Sequence, residues 1–77
     1  MLIGNRLNPN SVINTDLVAD YFKCKKPNHK KPYVIYFGFS GATSDEQNYV
    51  EWFFENEEDR DAQWSKLMGA MSVQFFD

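Results

Sequence analysis

Residues 33–39 read YVIYFGF, and the fold follows from this run. It is β-branched and aromatic with no helical period, the composition of a strand. Alternation puts Tyr33, Ile35, Phe37 and Phe39 on one face and Val34, Tyr36 and Gly38 on the other. Both faces are apolar, so the strand is expected at the centre of a sheet. Downstream, residues 40–47 (SGATSDEQ) read as a loop and residues 48–55 (NYVEWFFE) as a second strand. Val50, Trp52 and Phe54 share its apolar face; Tyr49, Glu51, Phe53 and Glu55 share a half-polar one.

A helix is predicted over residues 57–71. Asn56 is a good N-cap, and Asp59 three residues on makes a weak capping box. Glu57, Glu58 and Asp59 occupy the first turn, where the helix dipole favours negative charge. Trp64, Leu67, Met68 and Met71 recur at i, i+3, i+4 and i+7, a stripe that packs on the sheet. Gly69 inside this pattern costs about 1 kcal/mol relative to Ala and suggests an early end. The tail, residues 72–77, carries Phe75 and Phe76. It extends the stripe, docks back, or pairs with another molecule.

Upstream of the central strand the pattern is less decisive. Residues 17–24 fit a short helix capped by Asn14 or Thr15, or a strand; strand is preferred because residues 25–32 then form a hairpin loop. Residues 5–11 (NRLNPNS) read as turn, and residues 1–3 as a short edge strand. The expected fold is α+β: a single domain over residues 1–77, with a small antiparallel β-meander of three or four strands packed by one C-terminal helix. That topology brings the loop carrying Lys23, Lys25, Lys26, His29, Lys30 and Lys31 to the sheet end where the acidic helix begins. The two clusters then lie two strand spacings, on the order of 10 Å, apart and partly neutralise each other.

Seventy-seven residues bury only about 60% of their unfolded surface, so stability is marginal. Cys24 is the single cysteine, which fits a reducing compartment. Residues 1–4 hold two large apolar side chains after the start before Asn5 and Arg6, so no secretory leader is expected. No apolar run approaches a membrane span. A soluble, cytoplasmic protein is expected. Aromatic residues make up 17% of the chain, more than a core this small readily encloses. Either the large rings simply fill it, or some serve a partner or a second copy.

Catalytic chemistry finds little support. One His and one Cys give no metal-ligand spacing, and no cofactor motif is present. Cys24 and His29 flank the hairpin loop, but no third group orients them. Ser40–Gly41 lacks the glycine pattern and following Lys of a phosphate-binding loop. A non-enzymatic protein is expected. For nucleic acid, Lys25, Lys26, Lys30 and Lys31 with Tyr33 offer phosphate contacts and a ring. Residues 36–39 (YFGF) faintly resemble the aromatic strand of RNA-recognition sheets, without the leading basic residue and glycine. The net charge of −3 works against that reading.

The acids Asp45, Glu46, Glu51, Glu55, Glu57, Glu58, Asp59 and Asp61, against the lone base Arg60, admit three readings. They cap and solvate a helix; they steer a protein partner onto aromatic anchors; or they mimic a nucleic-acid backbone, with Glu51, Glu55, Glu58 and Asp61 in a line. The function expected is a small binding protein that inhibits or regulates a larger protein with a basic surface. Tyr49, Glu51, Phe53, Glu55, Glu58 and Asp61 form its docking surface, and Phe75 and Phe76 serve a homodimer. In size, charge and aromatic content the chain resembles the accessory proteins of phages and other mobile elements, which implies the host cytoplasm.

Overall fold

The computed structural model describes residues 1–39 and 48–76. The expected loop over residues 40–47, with Ser40, Gly41, Asp45 and Glu46, lies outside the described residues, as does Asp77. Strands β1 (Leu2–Asn5), β2 (Asn8–Asn14), β3 (Val18–Lys25), β4 (Tyr33–Phe39) and β5 (Tyr49–Phe54) precede helix α1 (Glu57–Ala70). They form two antiparallel sheets, β1–β2 and the meander β3–β4–β5, with β4 central. The α+β class, the meander and the covering helix match the sequence pattern.

The N-terminal hairpin is a correction. Residues 5–11 were expected as turn, yet β2 begins at Asn8 and pairs with β1 through Leu2↔Asn14, Ile3↔Ile13 and Asn5↔Asn8. The turn is only Arg6–Leu7. It is closed by the Asn5 side chain, whose Oδ1 accepts from the Leu7 N–H at 2.9 Å. Pro9 is tolerated because a two-stranded ribbon always offers an outward edge where no N–H is needed. The hairpin sends Ile13 into the core, while its neighbour Val12 is exposed. Asn14 does cap a helical turn, but a 3-10 one at Thr15–Leu17, by accepting from the Asp16 N–H at 3.1 Å. β3 then starts at Val18, with a register shift between Val18 and Asp20.

In the meander, Ile35, Phe37, Trp52 and Phe54 face the helix and are buried together with Ile13 and Leu67. Trp52, Phe37 and Phe54 are the largest fully buried side chains. Each contributes roughly 4–6 kcal/mol of gross apolar burial before entropy is subtracted. The Trp52 indole N–H is not orphaned, because it donates to the Ser11 carbonyl at 2.9 Å and so ties β5 to β2. On the helix, Trp64, Leu67, Met68 and Met71 meet this core as the periodicity required. The Asn56 Oδ1 accepts from the Asp59 N–H at 2.8 Å, and its Nδ2 donates back to Asp59 Oδ2 at 3.2 Å.

Gly69 does not end the helix, which continues to Ala70. The stop is made by Ser72, whose φ of 53° is left-handed. The Val73 N–H donates to the Met68 carbonyl and the Ser72 N–H to the Gly69 carbonyl, each at 3.2 Å, the pattern of a Schellman cap.

Candidate binding face of the sheet

The helix and hairpin cover one face of the meander. The pairs Asp20↔Gly38, Phe22↔Tyr36 and Cys24↔Val34, with Val34↔Phe53, Tyr36↔Glu51 and Gly38↔Tyr49, place these residues on the other. Val34 and Gly38 are buried there, whereas Asp20, Phe22 and Tyr49 are exposed. Three rings cross this face in a row. Phe22 and Tyr36 stack at 4.2 Å between centroids with planes 21° apart; Tyr36 and Tyr49 stack at 5.3 Å and 18°. These separations match the lateral spacing of strands. Parallel rings at that spacing stand upright on the sheet, covering one another's faces and turning their edges outward.

At the hairpin end the face is roofed. The His29 ring stacks on Phe53 at 4.5 Å, and Lys26 Nζ lies 5.7 Å from the same ring centroid. Lys26 Nζ also reaches both Glu51 carboxylate oxygens, at 2.8 and 2.6 Å. That hydrogen bond holds the Lys26 ammonium above its usual pKa. Cys24 sits half-buried beneath; burial first, and the Glu51 charge second, push its thiol up. The His29 Nδ1 accepts from the Lys31 N–H at 3.1 Å. At the opposite end, Gly38 leaves the space that the Asp20 carboxylate occupies; a Cβ there would collide with Asp20 Oδ1 and meet the Tyr36 ring at 3.1 Å.

Of the residues proposed from sequence for protein docking, Tyr49, Glu51 and Phe53 share this face. Glu55 is exposed just beyond the end of β5, and Glu58 is exposed in the first turn of α1. Asp61 lies on the helix side of the sheet, bound to Lys23 Nζ at 3.5 Å and to Arg60 Nη2 at 3.0 Å. Burial opposes its ionisation, but the Arg60 and Lys23 bonds and charges prevail and hold its carboxyl below the usual range. Glu51 and Asp61 therefore point away from each other, so Glu51, Glu55, Glu58 and Asp61 do not make one line of charge. Opposite charges also meet directly, Lys26 with Glu51 and Lys23 with Asp61, rather than across a gap of two strand spacings.

The residues proposed for nucleic acid are divided too. Lys26 is on the open face, whereas Lys25 lies 5.2 Å from the Tyr33 centroid on the helix side. Tyr33 is further covered by Arg60, 5.3 Å away. Lys30 and Lys31 are exposed in the loop, and Phe75 and Phe76 are exposed after the helix.

Sequence reasoning missed Phe22, Tyr36, Asp20 and His29 as members of the face. The register of the β3–β4 hairpin was the signal that would have found the first three. It also missed Arg60, which is buried; its Nη1 donates to the Cys24 carbonyl at 3.1 Å and anchors the helix start to β3. Among the described residues no group of three or more His, Cys, Asp or Glu is placed to hold a metal ion, and no helix is long and apolar enough to cross a membrane. The chain matches no family model, and no curated protein or solved structure was found similar to it.

Proposed function

We propose that this protein is a non-enzymatic binding module that docks the uncovered face of its meander on a larger protein and so inhibits or regulates it. The observation that carries this reading is the stacked row Phe22–Tyr36–Tyr49. Bases bind aromatic platforms through ring faces, at about 1–3 kcal/mol per base. Here both faces of Tyr36 are taken by its neighbours, and Phe53 is covered by His29. Upright rings offer apolar edges, a surface suited to shape-matched packing against protein side chains, where aromatic anchors dominate binding energy. This favours a protein partner over single-stranded nucleic acid. The exposed carboxylates of Asp20, on the face, and of Glu55, just beyond the end of β5, steer a partner with a basic surface.

The test is affinity capture from cell extract by the protein and by a Phe22→Ser, Tyr49→Ser variant, compared by quantitative mass spectrometry. Both substitutions are at exposed positions and leave the core intact. A partner held by the parent and lost from the variant is expected; identical captured sets would refute the reading. Self-association is a second reading, favoured by Phe75 and Phe76, which are 75% and 91% exposed. Sedimentation that returned a monomer at all concentrations would remove it.

A further inference from the structure

The two edges of the meander are treated differently. In an antiparallel ladder, residues alternate between bonding inward and pointing their N–H and C=O outward. The hairpin bond from the Lys26 N–H to the Pro32 carbonyl sets the phase on β3: Phe22 and Cys24 bond to β4, and Tyr21, Lys23 and Lys25 turn outward. The bond from the Phe39 N–H to the Asn48 carbonyl likewise turns Phe53 outward on β5. At Phe53 the edge is closed. The Asn8 side-chain amide accepts from its N–H at 2.8 Å and donates to its C=O at 3.2 Å, as a neighbouring strand would. Among the described residues, no strand lies beside the outer edge of β3.

We propose that the β3 edge receives an extended segment of a partner protein as a fourth strand of the meander. The side chains flanking the edge specify its chemistry. On the helix side, Lys23 and Lys25 are exposed, Lys23 with a 3.5 Å contact to Asp61, and their ammonium groups select acidic residues opposite them. They also repel a second β3, which prevents self-pairing at this edge. On the open side, Phe22 ends the stacked row and is 43% exposed. An aromatic residue opposite it would stack at the same lateral spacing as Phe22 on Tyr36. In antiparallel order the segment reads acid, any residue, acid, aromatic. The edge and the ring face share Phe22, but the backbone pairing along β3 does not require the ring face to be a docking surface.

The experiment titrates the ¹⁵N-labelled protein with the blocked peptide VEVEFTV and with its charge-swapped counterpart VKVKFTV, following amide exchange. The expected result is protection of the Tyr21, Lys23 and Lys25 amides by the acidic peptide, and binding about ten-fold weaker for the basic one. A Lys23→Glu, Lys25→Glu variant should reverse the preference. Absence of protection at millimolar peptide, or equal binding of both peptides, would overturn the proposal. Shifts confined to Tyr36 and Tyr49 would overturn it as well, while leaving the ring face as a docking surface.

Discussion

Replacing Asn8 with Ala removes the side chain that closes the β5 edge and docks the N-terminal hairpin there. Two hydrogen bonds to the Phe53 backbone disappear, at 2.8 and 3.2 Å, together with a 3.3 Å bond from Asn8 Nδ2 to Asn5 Oδ1. At about 0.5–1.5 kcal/mol net for each Phe53 bond, the loss is about 1–3 kcal/mol. It falls at the upper end if water does not replace the amide, because Phe53 is only half exposed. A domain of this size loses about 4–8 °C per kcal/mol, so the midpoint should drop by roughly 10 °C for a loss of about 2 kcal/mol. Urea unfolding followed by tryptophan fluorescence gives the free energy, since Trp52 is wholly buried. Hydrogen exchange at the Phe53 amide gives the local effect. Asn8→Asp sharpens the test: its carboxylate still accepts from the Phe53 N–H but faces the Phe53 carbonyl with no donor. That repulsion raises the folded-state pKa of the new carboxyl. The variant's deficit should therefore be largest at neutral pH and shrink as pH falls towards about 4 and the group protonates. A deficit below about 0.5 kcal/mol for Asn8→Ala, with unchanged Phe53 exchange, would refute the edge-closure argument.

The remaining predictions are local. Gly69→Ala should stabilise the protein by about 0.5–1 kcal/mol in the same assay, because the helix gains propensity and the new Cβ meets nothing within 4 Å. Ser72→Gly should also stabilise, by about 0.5–1 kcal/mol, since glycine holds the left-handed cap without the Cβ penalty. Cys24 should be alkylated by iodoacetamide at pH 8 more slowly than a free thiol, because burial and Glu51 raise its pKa and deplete the thiolate. Asp61, whose folded pKa lies below its unfolded one, contributes stability that is present above about pH 4 and is lost as pH falls through the folded value. Asp61→Asn should flatten the acid limb of the pH–stability curve.

What could be read from the chain were the elements whose own residues dictate them. YVIYFGF has no competing period, and the helix from Glu57 carries its cap, its charge pattern and its stripe in one stretch. The inward turn of Trp52 with Val50 and Phe54 followed from alternation alone. The N-terminal hairpin could not be read this way. Its strand β2 is built from Asn, Pro and Ser as well as Val and Ile, and its stability comes from Ile13 in a distant core and Asn8 against Phe53. Local propensity holds no record of such contacts. The candidate face was half legible for a related reason. Tyr49, Glu51 and Phe53 share it by alternation, but Phe22 and Tyr36 join them only through the register of β3 on β4. Asp61, one helical turn past the N-cap, was assigned to the docking surface because charge patterning does not say on which side of the sheet a helix lies. Arg60 looked like a lone surface base and is instead the buried link between α1 and β3.

The claim that the ring face is the docking surface is tested most directly by site-specific photo-crosslinking. A photoreactive phenylalanine is placed at Phe22, on the face, and in a second preparation at Lys66, which is exposed on the helix. Both proteins are irradiated in native extract and the adducts identified by mass spectrometry. A single heterologous protein captured from position 22, absent from position 66, and lost when Tyr49→Ser is added is the predicted result. The same adducts from both positions, or none from position 22, would contradict the account.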